Sequence, residues 1–275
     1  MPPMGLMQNP ITTQKNTIRD ARDAAFTLIE LLVVIAIIGL LATIGLPALK
    51  GFGKGTGMAG AERQLLQDLG LARLWAINGR ATVYVVFAPP NILNRLAQGS
   101  TSPQVMKQLT NLVSGQYSAY ALLSMRTVGD QPGQGTPHYL SEWKRLPQGI
   151  LIPTNKFSAM NLDPPVLNYP PEYRRGFATN AFPFPSTTKP VSFWTLPYIA
   201  FNPQGQVISE AFNGKLHDAL IPLAEGSIFF KGGNGGYLAI PDMVMKPAYN
   251  YTNHWIRVNW LTGRASVDQA TRPRF

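Results

Sequence analysis

The sequence predicts an α+β fold: a long hydrophobic N-terminal helix, able to serve as a transmembrane segment or a filament spine, followed by a mainly antiparallel β globular domain with a loop-rich insertion. Three observations lead there. Phe26 to Leu46 is apolar and small throughout except for Glu30 and two threonines. Residues 61–78 then repeat apolar positions at the helical period, with Leu65, Leu66, Leu69, Ala72 and Ala76 on one face. Beyond them, β-branched and aromatic runs such as Ala81 to Phe87 and Ile256 to Trp260 are bounded by Asn, Gly and Pro.

Residues 1–25 are polar, with Pro2, Pro3 and Pro10 and three basic side chains, and read as a leader. Residues 26–49 form the apolar helix. About 20 apolar residues cross the hydrocarbon of a bilayer, and Phe26 to Leu46 supplies 21. A secretory signal peptide has a shorter apolar run, so that alternative does not fit. Glu30 stands out because a carboxylate in hydrocarbon is costly and no Lys or Arg lies between Phe26 and Leu49. Cleavage before Phe26 would place an α-amino group about one turn away, where the Glu30 of one subunit could meet the amine of its neighbour and set the stagger between helices. Otherwise Glu30 sits hydrated at the headgroup level. Gly39 and Pro47 mark where the helix would kink or melt.

Residues 50–60, with glycine at positions 51, 53, 55, 57 and 60, read as a flexible joint that interrupts the helix. They lack the Gly-Lys-Ser/Thr ending of a phosphate loop. Residues 61–275 form the globular domain, opening with the helix over 61–78. Residues 90–197 are the loop-rich insertion, holding a short helix at 103–112, strands at 117–125 and 149–152, and seven prolines between Asp163 and Pro197. Tyr198 to Val207 is a strand, an Asn-Pro-Gln-Gly turn and a return strand. Further strands fall at 227–230, 236–240, 256–260 and 265–267. On the 256–260 strand, alternation puts Ile256, Val258 and Trp260 toward the core and Trp255 with Arg257 toward solvent.

Ala25, Phe26, the run Thr27-Leu28-Ile29-Glu30, Gly39 and Pro47 resemble the N-terminus of type IV pilins and type II secretion pseudopilins. The family usually has Gly where this chain has Ala25, but a small residue is kept. The resemblance implies cleavage by a prepilin peptidase between Ala25 and Phe26, methylation of the new amine, and unwinding near Gly39 to Pro47 when subunits pack. It also implies a leader in the cytoplasm, a single pass of the inner membrane, a periplasmic or extracellular domain, and other pilin or pseudopilin subunits as partners beside membrane lipid. Leu71-Ala72-Arg73, Ala76-Ile77-Asn78-Gly79, Phe201-Asn202-Pro203-Gln204-Gly205 and the closing Thr262-Gly263-Arg264 resemble the H-type minor pseudopilins. That resemblance implies a minor structural subunit of a secretion pseudopilus or pilus.

Charged residues make up 14% of the chain, against about 25% in soluble domains. A net charge of +10 suits either a solvated basic surface or an anionic partner. The alternative function is therefore a membrane-tethered module that captures DNA or another anionic polymer, through Arg257, Arg264, Arg272 and Arg274, with Trp255 stacking on unpaired bases. The chain has no cysteine, which excludes disulfides and a thiol nucleophile. His138, His217 and His254 lack metal-ligand spacing, and there is no nucleophile elbow. No enzyme activity, metal or cofactor is expected.

Overall fold

The computed structural model describes residues 27–92, 103–127, 129–131, 135–157, 175–189, 191–208, 211–212, 215–229, 242–246 and 254–268. The chain falls into two compact units, Met1–Lys50 and Gly51–Phe275. A single helix, α1 (Leu28–Gly79), contributes to both. The second unit combines that helix with antiparallel sheets, the predicted α+β arrangement.

In the first sheet, β1 (Val83–Phe87) lies between β2 (Ala119–Ser124) and β7 (Phe193–Phe201). Here β3 (His138–Tyr139) and β4 (Lys144–Arg145) both pair with β2, while β6 (Ala178–Pro183) closes the other side. Three short strands lie elsewhere, β5 (Ile150–Leu151) on the second sheet and β8 (Ala211–Phe212) with β9 (Lys215–Leu216) as a hairpin. The second sheet is built on β10 (Ala219–Phe229), which pairs with β5, β11 (Asp242–Lys246) and β12 (His254–Val258); β13 (Ala265–Asp268) completes it beside β12. Every pairing is antiparallel.

Strand alternation divides the core in two. Val83, Val85 and Phe87 join Leu65, Leu69, Ala72 and Ala76 of α1 and Ile221, Ile256 and Val258 of the second sheet. Val86, with Ala121 and Leu123 of β2, faces the other way, onto Val105, Leu109 and Leu112 of α2 (Pro103–Val113) and onto Phe182, Phe184 and Trp194. Both faces of the first sheet are thus covered, which is why β2 is buried along its whole length.

Three expectations are corrected. The joint at 50–60 is helical, so α1 runs unbroken where a break was expected. Glycine weakens a helix by about 1 kcal/mol, but Met58 and Ala61 are buried, and Cβ atoms on Gly57 and Gly60 would fall 3.9 and 3.7 Å from Ile150 and Pro147. Those are ordinary contact distances, so this part of the helix is packed against the 147–150 segment, and packing outweighs local propensity. Residues 90–197 are not an insertion appended to the domain, because they supply β6, the first part of β7 and β2, which pairs with β1 along its whole length. Pro197 is tolerated within β7 because the pairing with β1 stops at Tyr198, leaving only β6 beside it. The expected strand at 236–240 lies outside the described residues, and the expected return strand at Val207 is a single bridge to Phe201.

On β12 the two tryptophans depart from the expected alternation. Trp255 is 3% exposed while Trp260 is half-buried in the turn that follows. Ile256 and Val258 are buried as expected. The strand is flanked on both sides, with Pro222 of β10 and Asp268 of β13 across from Trp255. Buried residues of both parities, Trp255 on one face and Ile256 with Val258 on the other, show that alternation alone could not choose between the tryptophans.

Candidate functional site

The first turn of α1 carries the site. Thr27 precedes the helix, and Glu30 lies in its first turn. The Glu30 N–H donates to Thr27 Oγ1 at 3.2 Å, while Thr27 N–H and Oγ1–H both donate to Glu30 Oε2 at 3.2 Å. This reciprocal pattern is a capping box, which satisfies two backbone donors that a helix start otherwise leaves unpaired. Thr-x-x-Glu is its sequence signature, and reading Glu30 only as a charge in need of a cation overlooked it. Glu30 is exposed, so its second oxygen remains open to a further donor.

From Leu28 to Leu41 every large apolar side chain is 45–83% exposed, on all sides of the helix. A surface helix of a soluble domain keeps a polar stripe toward water, and this one has none. Soluble monomers rarely expose a contiguous apolar surface of that extent. Among the described residues no helix is long and apolar enough to cross a membrane. Ala25 and Phe26 lie outside the described residues. The helix passes through Gly39 and Pro47 without a break, and a Cβ on Gly39 would meet nothing within 4 Å.

Two turns picked out in the sequence meet against α1. In the first, Gln204 and Gln206 N–H groups donate to Asn202 Oδ1 at 3.0 and 2.8 Å, and Gly205 takes φ 77°. In the second, Thr262 N–H donates to Asn259 Oδ1 at 2.9 Å, and Gly263 takes φ 61°. Val207 N–H donates to the Trp260 carbonyl at 2.9 Å, and Arg73 Nε–H of α1 donates to the Thr262 carbonyl at 2.7 Å. Glycine is required at both positions by the positive φ and the close approach.

Of the expected cationic cluster, Arg257 and Arg264 fall among the described residues. Arg257 donates to Asp268 at 2.8 Å and to Asp218 at 3.1 Å, so two carboxylates already hold it. Asp218 also accepts the Trp260 N–H at 2.9 Å. Arg264 is exposed, whereas Arg272 and Arg274 lie outside the described residues. Buried Trp255 presents no face for stacking on a base. The sequence could not show these pairings, because Asp218 is 39 residues from Arg257. His254 pairs with Glu62 of α1 at 2.7 Å. Among the described residues no group of three or more His, Cys, Asp or Glu side chains is placed to hold a metal ion.

No curated protein and no solved structure matches the chain. Residues 20–46 match the family described as the prokaryotic N-terminal methylation motif. The capped first turn and most of the exposed apolar helix that follows it fall within that matched motif.

Proposed function

We infer that the chain is a minor structural subunit of a type II secretion pseudopilus or type IV pilus, of the H-type minor pseudopilin kind. The methylation motif over residues 20–46 is the observation that carries this reading. The all-round exposure of the helix from Leu28 to Leu41 supports it, since neighbouring helices or lipid would cover that surface. The sequence continues apolar to Leu46, so Phe26 to Leu46 anchors the subunit in the inner membrane before assembly, with the β domain on the far side. The meeting of the Asn202–Gly205 and Asn259–Arg264 turns at α1 supports the H-type assignment, because these are the segments that resemble that subfamily.

A prepilin peptidase cuts between Ala25 and Phe26, and the new amine is methylated. Intact-mass measurement of protein from its native host should show a chain beginning at Phe26 and carrying one extra methyl group. A mature chain that starts at Met1, or at any residue past Leu31, would end this reading.

Within the filament, the open oxygen of Glu30 takes the Phe26 amine of a neighbouring subunit. Two substitutions separate that role from capping. Glu30→Gln keeps a side chain that can cap but removes the charge, and should lower assembly, counted by cross-linking, about tenfold. Thr27→Ala keeps the charge and weakens the helix start by about 1 kcal/mol, so assembly should stay near wild type. Equal losses in the two variants would mean that Glu30 acts through the cap alone.

A further inference from the structure

The carboxyl end of α1 contains a residue in an unfavourable conformation. The Arg80 N–H donates to the Ile77 carbonyl and the Ala81 N–H to the Ala76 carbonyl, both at 3.3 Å. These are the paired bonds of a Schellman termination, and they put Arg80, with φ 46°, where glycine is favoured. Gly79 stands one residue earlier, still helical. A side chain with a Cβ is strained in the left-handed region, and such strain persists where the surroundings or a function hold it.

Arg80 lines a cleft of about 410 Å³ between the end of α1, the start of β1 and the segment joining β2 to β3. Half-buried Trp75 forms one wall, and Asn78, Arg126 and His138 contribute to the others. The Arg80 side chain is exposed, with no hydrogen-bond or ion-pair partner among the described residues. Arg126 donates only to the Asp130 carbonyl, at 3.3 Å, through its guanidinium. The Asp130 carboxylate is taken up by the Thr127 and Thr136 N–H groups, both at 2.7 Å, and by Thr136 Oγ1 at 3.1 Å. It closes its own loop and also attracts the Arg126 guanidinium, so Arg80 is the cation left open to an external anion and Arg126 a second, partly offset one on the same cleft.

We propose that this cleft binds an acidic sugar, a uronate ring of an anionic polysaccharide, with the carboxylate on Arg80 and Arg126 and the C–H face of the ring toward Trp75. A guanidinium fork matches a carboxylate in geometry and charge. Half-buried Trp75 is the large aromatic side chain lining the cleft, and the exposed Asn78 amide can pair with ring hydroxyls. A nucleic-acid backbone would need a track of cations, and among the described residues lining the cleft Arg80 and Arg126 are the lysines and arginines present. The site does not depend on the filament reading.

The test uses the full chain in detergent micelles, with trigalacturonate as probe and neutral galactotriose as control, read by calorimetry. Trigalacturonate should bind at least about tenfold more tightly than galactotriose, and Arg80→Gly and Arg126→Ala should each weaken it by about tenfold or more. Arg80→Gly should also melt at or above the wild-type temperature, because glycine relieves the strain at residue 80; a drop in affinity is then not a folding defect. Absence of trigalacturonate binding at millimolar concentration, or wild-type affinity in Arg80→Gly, would overturn the site. Equal affinity for an oligoglutamate of the same charge would overturn the sugar assignment.

Discussion

Gly263→Ala is expected to lower the unfolding free energy by about 3 kcal/mol or more. With φ 61° at this residue, an added Cβ would fall 1.9 Å from the Gly205 carbonyl oxygen and 3.0 Å from Arg73 Cδ. That oxygen belongs to the backbone of the other turn, so it can withdraw only if the Asn202–Gly205 turn moves with it. Gly205→Ala is the matching control. Its φ of 77° is equally unfavourable, but the Cβ would meet side-chain ends, Ile77 Cδ1 at 2.8 Å and Arg73 Nε at 3.1 Å. Ile77 can rotate away and Arg73 can shift at the expense of its bond to the Thr262 carbonyl, and the expected loss is about 1.5 kcal/mol. Urea unfolding of the full chain in detergent measures both. Similar losses at the two positions, or a Gly263→Ala loss below about 1 kcal/mol, would mean that the turns re-seat independently.

The second large effect is expected at Asp68, whose carboxylate is buried on the domain-facing side of α1. Tyr120 Oη–H donates to it at 2.7 Å and Lys144 Nζ–H at 2.5 Å, while Gln64 Nε2–H donates to the Tyr120 oxygen at 2.9 Å. Asp68→Ala strands the hydroxyl proton of fully buried Tyr120, whereas Lys144, with 38% of its side chain exposed, can turn to water. The expected loss is about 2–3 kcal/mol. Lys144→Ala removes the cation from a carboxylate only 5% exposed and should cost at least as much. Burial, and then the Asp68 carboxylate beside it, raises the Tyr120 hydroxyl above its ordinary value of 10.0. A raised value stabilises the fold below the unfolded tyrosine's range, and that contribution is lost as pH rises above it. Alkaline unfolding should accordingly set in at higher pH in Tyr120→Phe. An unchanged alkaline midpoint in that variant would show that Tyr120 does not control it.

Local signals made part of this fold readable in advance. The periodicity of Leu65, Leu69, Ala72 and Ala76, the valines of β1, the amphipathic α2 and both glycine turns all report on neighbours within a few residues. What escaped was set at long range. The proline-rich middle looked appended because nothing local says that Tyr198 to Phe201 pair with Val83 to Val86. Arg257 looked free because its carboxylates come from other strands and turns. The glycines after Pro47 looked like a hinge because their packing partners are Pro147 and Ile150. At the site, Glu30 was legible as a residue of consequence, and its partner Thr27 was legible too, had the Thr-x-x-Glu spacing been read as a cap. Arg80 gave no such signal, because Asn78-Gly79 offers glycine itself as the obvious terminator.

The central place of β1 also governs the order in which the domain can form. Its partner on one side, β2, follows within about 40 residues, but β7 pairs Tyr198 with Val86, 112 positions later. At a synthesis rate of about 5–20 residues per second, β1 waits on the order of ten seconds for its second neighbour. During that interval its free edge presents Val83, Tyr84, Val85 and Val86, a short β-prone run without charge, which is a template for pairing with another chain. The apolar face of α1 is complete by then, yet Ile221, Ile256 and Val258, which cover part of it, are still to come. Aggregation therefore competes with folding most strongly between the emergence of β2 and that of β7.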